Sequence, residues 1–202
     1  MKIVIVYRHE DGRLAALSQV RELYAADNME VEVIQAPDEL VFSFTRTVRE
    51  YLGEYDGIVM VCDADCYVPR RQIVQAEALC RKGYIMVSPY DGMVVEKECG
   101  AVLGRVIRND GRGGAVVLNY RPYREICRGE NPNFRLWGDE DHERWERVSK
   151  FMRIPRVSGP IFHYAHPKAD PGHPYAQDNL NELNKARVMS CEQIEEYVKT
   201  WR

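Results

Sequence analysis

Two aspartates separated by one alanine, Asp63-Ala64-Asp65, close the run Tyr55-Asp56-Gly57-Ile58-Val59-Met60-Val61-Cys62. The apolar stretch reads as a buried strand, and the two acids at its mouth then face one small volume. Burying two carboxylates that close together is costly unless a cation sits between them. A hard divalent ion meets that need. A solvated turn is the alternative for the triplet alone, because aspartate is common where strands turn. Other residues with chemical capacity lie far along the chain. Tyr7-Arg8-His9 follows the first apolar run, and Gly113-Gly114-Ala115 allows close approach of a backbone to a ligand. Trp137-Gly138 sets a large ring and a flexible residue just before Glu140-Asp141, and the segment Ile161 to Pro167 holds His163 and His166 three positions apart. A tight turn there aims both imidazoles inward; one ligand and one ordinary histidine is the other reading. Asp38, Asp91 and Glu96 are acids that nothing in their spacing singles out, and Cys62 and Cys66 read as packing residues.

Elements able to position these groups follow from the periodicity. Lys2 to Tyr7 is rich in Ile and Val, as a strand covered on both faces should be. Leu14, Leu17, Val20, Leu23 and Tyr24 recur at helical spacing, Met29 to Ile34 is a second strand, and Val48 and Leu52 mark a short helix before the strand Gly57 to Cys62. Arg70 to Lys82 carries Ile73, Ala76, Leu79 and Cys80 on one helical face and stops at Gly83, before a fourth strand from Tyr84 to Val87. Strand and helix thus alternate four times, which predicts an α/β fold with an open, mostly parallel sheet flanked by helices. Ligands of such sheets bind at the carboxyl ends of the strands, where Tyr7-Arg8 and Asp63 to Asp65 fall. Further on, Val102 to Ile107, Ala115 to Leu118 and Val157 to His163 read as strands and Glu140 to Met152 as a helix. Asn179 to Arg202 reads as helical, with Ser190 and Gln193 spaced as a capping box.

Composition narrows the class. A chain of 202 residues with no long linker is expected to form one domain over 1–202, made of a first half (1–89), a second half (90–178) and a helical tail (179–202). A net charge of -3 argues against gripping polyanions by bulk charge, although Arg105, Arg108, Arg112, Arg121, Arg124 and Arg128 leave local basic patches. No run approaches a membrane span, and the N-terminus lacks a signal-peptide pattern. Six scattered cysteines with no CxxC pair suit reduced thiols, so a cytoplasmic location is expected.

The order of these motifs, with Asn133-Phe134-Arg135-Leu136-Trp137-Gly138-Asp139-Glu140-Asp141 between the Gly-Gly turn and the histidines, resembles the GT-A fold (nucleotide-diphospho-sugar transferase) glycosyltransferases. Within them it is similar to the β-1,4-galactosyltransferase group and the inverting family-two enzymes, over roughly residues 1 to 170. The resemblance implies a metal-dependent inverting glycosyltransferase, with hexosyl transfer from a nucleotide-sugar donor (a UDP-sugar) to an acceptor hydroxyl. Asp65 becomes a ligand of Mn2+ (or Mg2+), and Asp63 either shares the metal or reaches the ribose. His163 and His166 fall on the two late metal-ligand positions. The galactosyltransferase pattern favours His166 and other family-two enzymes favour His163. An imidazole at 163, where that pattern usually has Met, favours manganese over magnesium.

By the same resemblance Asp141 is the general base, while Glu140 and Trp137 bind the acceptor. Tyr7, Arg8, Asp63, Ala64, Gly113 and Gly114 line the donor, and Arg46 of Phe44-Thr45-Arg46 lies at the uridine end, although the Asn expected after it is missing. A nucleotidyltransferase is the alternative enzyme, but its Gly-rich basic triphosphate loop is not matched by Tyr7 to Gly12, which holds one Gly and two acids. A catalytically silent sugar-nucleotide-binding domain is the non-enzymatic alternative. The acceptor is open among glycan, lipid, protein and a modified base in DNA. The acidic net charge tempers the last.

Overall fold

The computed structural model describes residues 1–8, 13–35, 43–166 and 173–201; His9 to Gly12, Asp38 and Pro167, named above, lie outside them. The first half runs β1 (Lys2–Tyr7), α1 (Arg13–Ala26), β2 (Glu32–Gln35), α2 (Phe44–Leu52), β3 (Ile58–Asp63), β4 (Cys66–Tyr67), α3 (Arg70–Arg81) and β5 (Met86–Val87). The second half continues with β6 (Val94–Lys97), β7 (Arg105–Arg108), β8 (Ala115–Asn119), α4 (Tyr120–Cys127), α5 (Glu140–Ser149), β9 (Ile161–Tyr164), α6 (Ala176–Val188) and α7 (Cys191–Val198).

Side chains alternate across a strand, so a strand covered on both faces must be apolar throughout. Ile3, Ile5 and Tyr7 of β1 join Met60 and Cys62 of β3 in one core, beneath Ala16, Leu17, Val20 and Tyr24 of α1 and Ile73, Ala76 and Cys80 of α3. Val4 and Val6 join Val59 and Val61 in the other, beneath Val48 and Leu52 of α2, Tyr120 and Tyr123 of α4 and Val148 of α5. The result is a three-layer α/β arrangement whose main sheet has the order β2-β1-β3-β8-β5. Strand β1 is parallel to β2 and β3, and β8 runs antiparallel to both of its neighbours. Four of the five strands therefore share one direction.

Strand β3 does not lie beside the expected fourth strand. Ala115–Asn119 inserts between β3 and β5, pairing Val61 with Val116 on one side and Val87 with Val117 on the other. Strand β5 spans only Met86–Val87, and the chain leaves the sheet there to build a second one of order β4-β9-β6-β7 before β8 returns. The strand expected at 102–107 is β7, an edge strand at Arg105–Arg108, with Val102 and Leu103 each 86% exposed ahead of it. Strands β4 and β6 and helix α4 are additions to the sequence reading. The tail is two helices, α6 and α7, the latter started by the Ser190 and Gln193 capping box and packed through Ile194, Val198 and Trp201. All six cysteines are free. Among the described residues no helix is long and apolar enough to cross a membrane.

Candidate active site

Parallel pairing of β1 and β3 aligns Val6 with Asp63, so both strands end at one edge and deliver Tyr7-Arg8 and Asp63-Ala64-Asp65 to the same place. Directly after Asp65 the chain becomes β4, which pairs antiparallel with β9 and sets Cys66 opposite His163. The Tyr164 backbone N–H donates to the Asp65 carbonyl at 2.7 Å, which fixes the register. Two segments nearly 100 positions apart are thereby joined. Asp65 is 3% exposed, with His166 Nε2 2.9 Å from Oδ2, His163 Nε2 3.8 Å from Oδ1 and Arg13 Nη1 3.9 Å from Oδ2. Burial works against its charge, yet the His166 hydrogen bond and the His163 and Arg13 charges hold the carboxyl below the usual carboxylate range. Burial pushes His163 down, despite Asp65, towards the neutral imidazole that ligates metals. Ligand atoms of Asp65, His163 and His166 all lie within 4.8 Å of one another.

Opposite this cluster stands the start of α5. Leu136 (φ 60°) and Asp139 (φ 67°) are left-handed, as is Gly138 (φ 103°), so the backbone between Trp137 and Glu140 is bent sharply into the helix. Left-handed non-glycine residues cost about 1–3 kcal/mol each and persist only where the surroundings fix them. The fixing residue is buried Asn179 of α6. Its Nδ2 donates to the carbonyls of Arg135 (2.9 Å) and Trp137 (3.1 Å), and its Oδ1 accepts from the Arg135 N–H (3.1 Å). His173 adds a 2.9 Å contact from Nε2 to the Trp137 carbonyl and an edge-on ring contact with the indole. The Arg8 guanidinium also lies over the indole, 6.0 Å from its centroid. Burial and the adjacent Asp141 charge push Glu140 up to about 7, and its buried Oε2 has no hydrogen-bond partner among the described residues. Asp141 Oδ1 accepts from Arg144 Nη1 at 2.7 Å. Its Oδ2 packs so close to Gly113 that a Cβ there would collide with it. Gly114 is left-handed (φ 86°), and a Cβ on it would lie 3.0 Å from Cys66 Sγ and Ile161 Cδ1.

One cleft of about 610 Å³ is lined by Asp63, Gly113, Gly114, Trp137, Glu140, Asp141, His163 and His166, with Arg13, Tyr90 and Glu96 also on its wall. Asp65 borders it through both histidines. Burial and the charges of Asp141, Asp65 and Glu140 hold Asp63 well above the carboxylate range. Several acids thus repel one another's charge at the end of β3, and a divalent cation there would relieve that repulsion. The donor set of one carboxylate and two imidazoles is of a kind that holds a divalent metal ion. The Cys66 thiol, pushed up by burial and by Asp65 and Asp63, stays protonated and donates to Asp65 Oδ1 at 3.3 Å.

Tyr7 and Ala64 are buried beside the cleft edge. Arg46 lies apart: its Nε donates to the Pro132 carbonyl at 2.9 Å, and it lines a second depression with Asn133, Glu182 and Lys185. Asp91 is a turn residue, accepting from the N–H groups of Met93 and Gly159, whereas Glu96 faces the cleft beside His163. Arg13, Tyr90, Glu130, Arg144, His173 and Asn179 were not read from the sequence.

No protein-family model and no curated protein matches this sequence. Among solved structures the chain is similar to GalNAc-T7 with UDP, GalNAc and Mn2+, at a TM-score of 0.59 and 12% identity, over 98% of this chain and 50% of that one. It is also similar to TarS of S. aureus in complex with UDP-GlcNAc, at a TM-score of 0.56 and 9% identity, over 98% of this chain and 70% of that one. The chain spans about half the length of the GalNAc-T7 structure it matches. At such low identity the likeness establishes architecture: the chain has the GT-A, nucleotide-diphospho-sugar transferase fold.

Proposed function

We propose that the protein is a metal-dependent, inverting glycosyltransferase that moves a hexosyl group from a UDP-sugar to an acceptor hydroxyl. The observation that carries this reading is the convergence on one cleft of the Asp65, His163 and His166 cluster and the Glu140-Asp141 helix start, in a chain of this fold. Asp65, His163 and His166 would hold the divalent cation, with Asp63 beside them. When bound, a cation held by these residues would offset the negative charge growing on the departing diphosphate. Arg8 and Tyr7 at the end of β1, Ala64 at the turn and the Gly113-Gly114 backbone shape the donor side. Trp137 and the unpartnered Oε2 of Glu140 would meet the acceptor. Asp141 Oδ2 takes the acceptor proton as the acceptor oxygen bonds to the anomeric carbon and the bond from that carbon to the diphosphate oxygen breaks. Attack from the face opposite the leaving group inverts the centre. General-base help of this kind is worth about 10²–10⁴-fold. Arg46, turned towards Pro132, is left out of the donor set.

The test is a panel of UDP-sugars with Mn2+, followed as UDP release with water standing in for the acceptor. At least one sugar should be hydrolysed, and release should stop on chelation and in Asp65→Ala. Full turnover by Asp65→Ala, or without any divalent ion, would overturn the mechanism. Pyrophosphate release from a nucleoside triphosphate and a sugar phosphate would replace it with nucleotidyl transfer.

A further inference from the structure

Asp141 is the outer member of a three-charge chain that runs into the interior. Arg144, 2% exposed, donates from Nη1 to Asp141 Oδ1 at 2.7 Å and from Nε to Glu130 Oε1 and Oε2 at 3.0 and 3.1 Å. Glu130 is 1% exposed, and Asp141, at 27%, is the member that meets the cleft. The buried guanidinium is shared between a buried acid and a cleft acid. Hydrogen bonding to Oδ1 fixes the carboxylate plane, so Oδ2 is turned onto Gly113. The loop that carries Glu130 is itself tied down, because Asn131 and Asn133 both donate to Glu182 of α6 at 3.2 Å. Arg49 of α2 holds the Glu130 carbonyl at 3.2 Å.

We propose that Arg144 and Glu130 are positioning residues for Asp141: the guanidinium aims Oδ2 at the cleft, and the Glu130 carboxylate sets how much of the guanidinium charge Asp141 feels. This rests on reading Asp141 as the base. Other charged or titratable groups that face Asp141 are Glu140 on the same helix, Asp63 at the end of β3 and Tyr90 on the loop after β5. None of these hydrogen-bonds it. Only the Arg144 link can be strengthened from one side and broken from the other.

The two substitutions Arg144→Met and Glu130→Gln therefore act in opposite senses on the proton affinity of Asp141. The Asp141 carboxyl is followed by ¹³C NMR titration, assigned by its loss in Asp141→Asn, and kcat and KM for UDP release are measured alongside. The titration midpoint should move up in Arg144→Met and down in Glu130→Gln, by roughly one pH unit each. Arg144→Met should lose about 10²-fold in kcat with donor KM little changed, and Arg144→Lys should recover part of it. Midpoints that stay put or move together in both variants overturn the proposal, as does an unchanged kcat in Arg144→Met. Should Arg144→Met fail to fold, Glu130→Gln and Arg144→Lys decide by the same titration. Wild-type protein that releases no UDP from any donor would remove the transferase reading, while the titration still decides the charge chain.

Discussion

His166 and His163 reach Asp65 unequally, at 2.9 and 3.8 Å, from a strand end whose register is set by β4. Substituting His166 should therefore cost more Mn2+ affinity than substituting His163. Isothermal titration of His166→Ala is expected to show a loss of roughly tenfold or more, with a smaller loss for His163→Ala. Glu140 gives a pH signature. Its carboxyl sits at about 7 in the folded chain, against 4.5 for the ordinary group. Between those values the folded state binds more protons than the unfolded one, so its contribution to stability falls as pH rises from 4.5 to 7 and stays low above that. Glu140→Gln should flatten this slope and raise Tm at pH 8, with little change at pH 4.5; an equal shift at both would refute it. Contiguous chemistry was legible in the sequence: Asp63 to Asp65 and Trp137 to Asp141 each carry their roles in neighbouring positions. Arg13, Arg144 and Asn179 were not, because arginines and asparagines on helices are ordinary and their partners lie in other elements.

At the scale of elements, the bend before α5 depends on a clamp supplied by a different helix. Asn179→Ala would remove the side-chain partner of the Arg135 N–H and carbonyl and leave the Trp137 carbonyl to His173 alone, in a part-buried setting. Such losses cost about 1–3 kcal/mol, which corresponds to a fall in Tm of roughly 2–10 °C for a chain of this size. Gly113→Ala acts on the other wall, where the added methyl would strike Asp141 Oδ2. It should lower the UDP-release rate by about 10²-fold while near-UV circular dichroism stays native; wild-type turnover would show that Asp141 need not pack there. The strands β1 and β3 and the helices α1 and α3 were readable because their apolar period matches the sheet they cover. Strand β4 escaped because two residues carry no period, and β6 because its four residues are all half-buried. Strand order is a property of pairing partners, which no local pattern encodes.

Across the whole molecule, the position of β8 has a consequence for how the chain comes to be folded. Residues 1–89 supply four strands of the main sheet but leave β3 and β5 without the strand that joins them. Their facing edges, rich in Val and Met, stay open until 115–119 has emerged from the ribosome. A nascent chain stalled before that point presents unpaired, sticky borders, a natural handle for chaperones. Released alone, the 1–89 fragment should show no cooperative melting and should bind a hydrophobic dye, whereas one extended through Asn119 should begin to acquire both a sheet signal and resistance to protease. Late arrival of a single central ribbon thus makes synthesis of this protein an all-or-nothing affair for its first half.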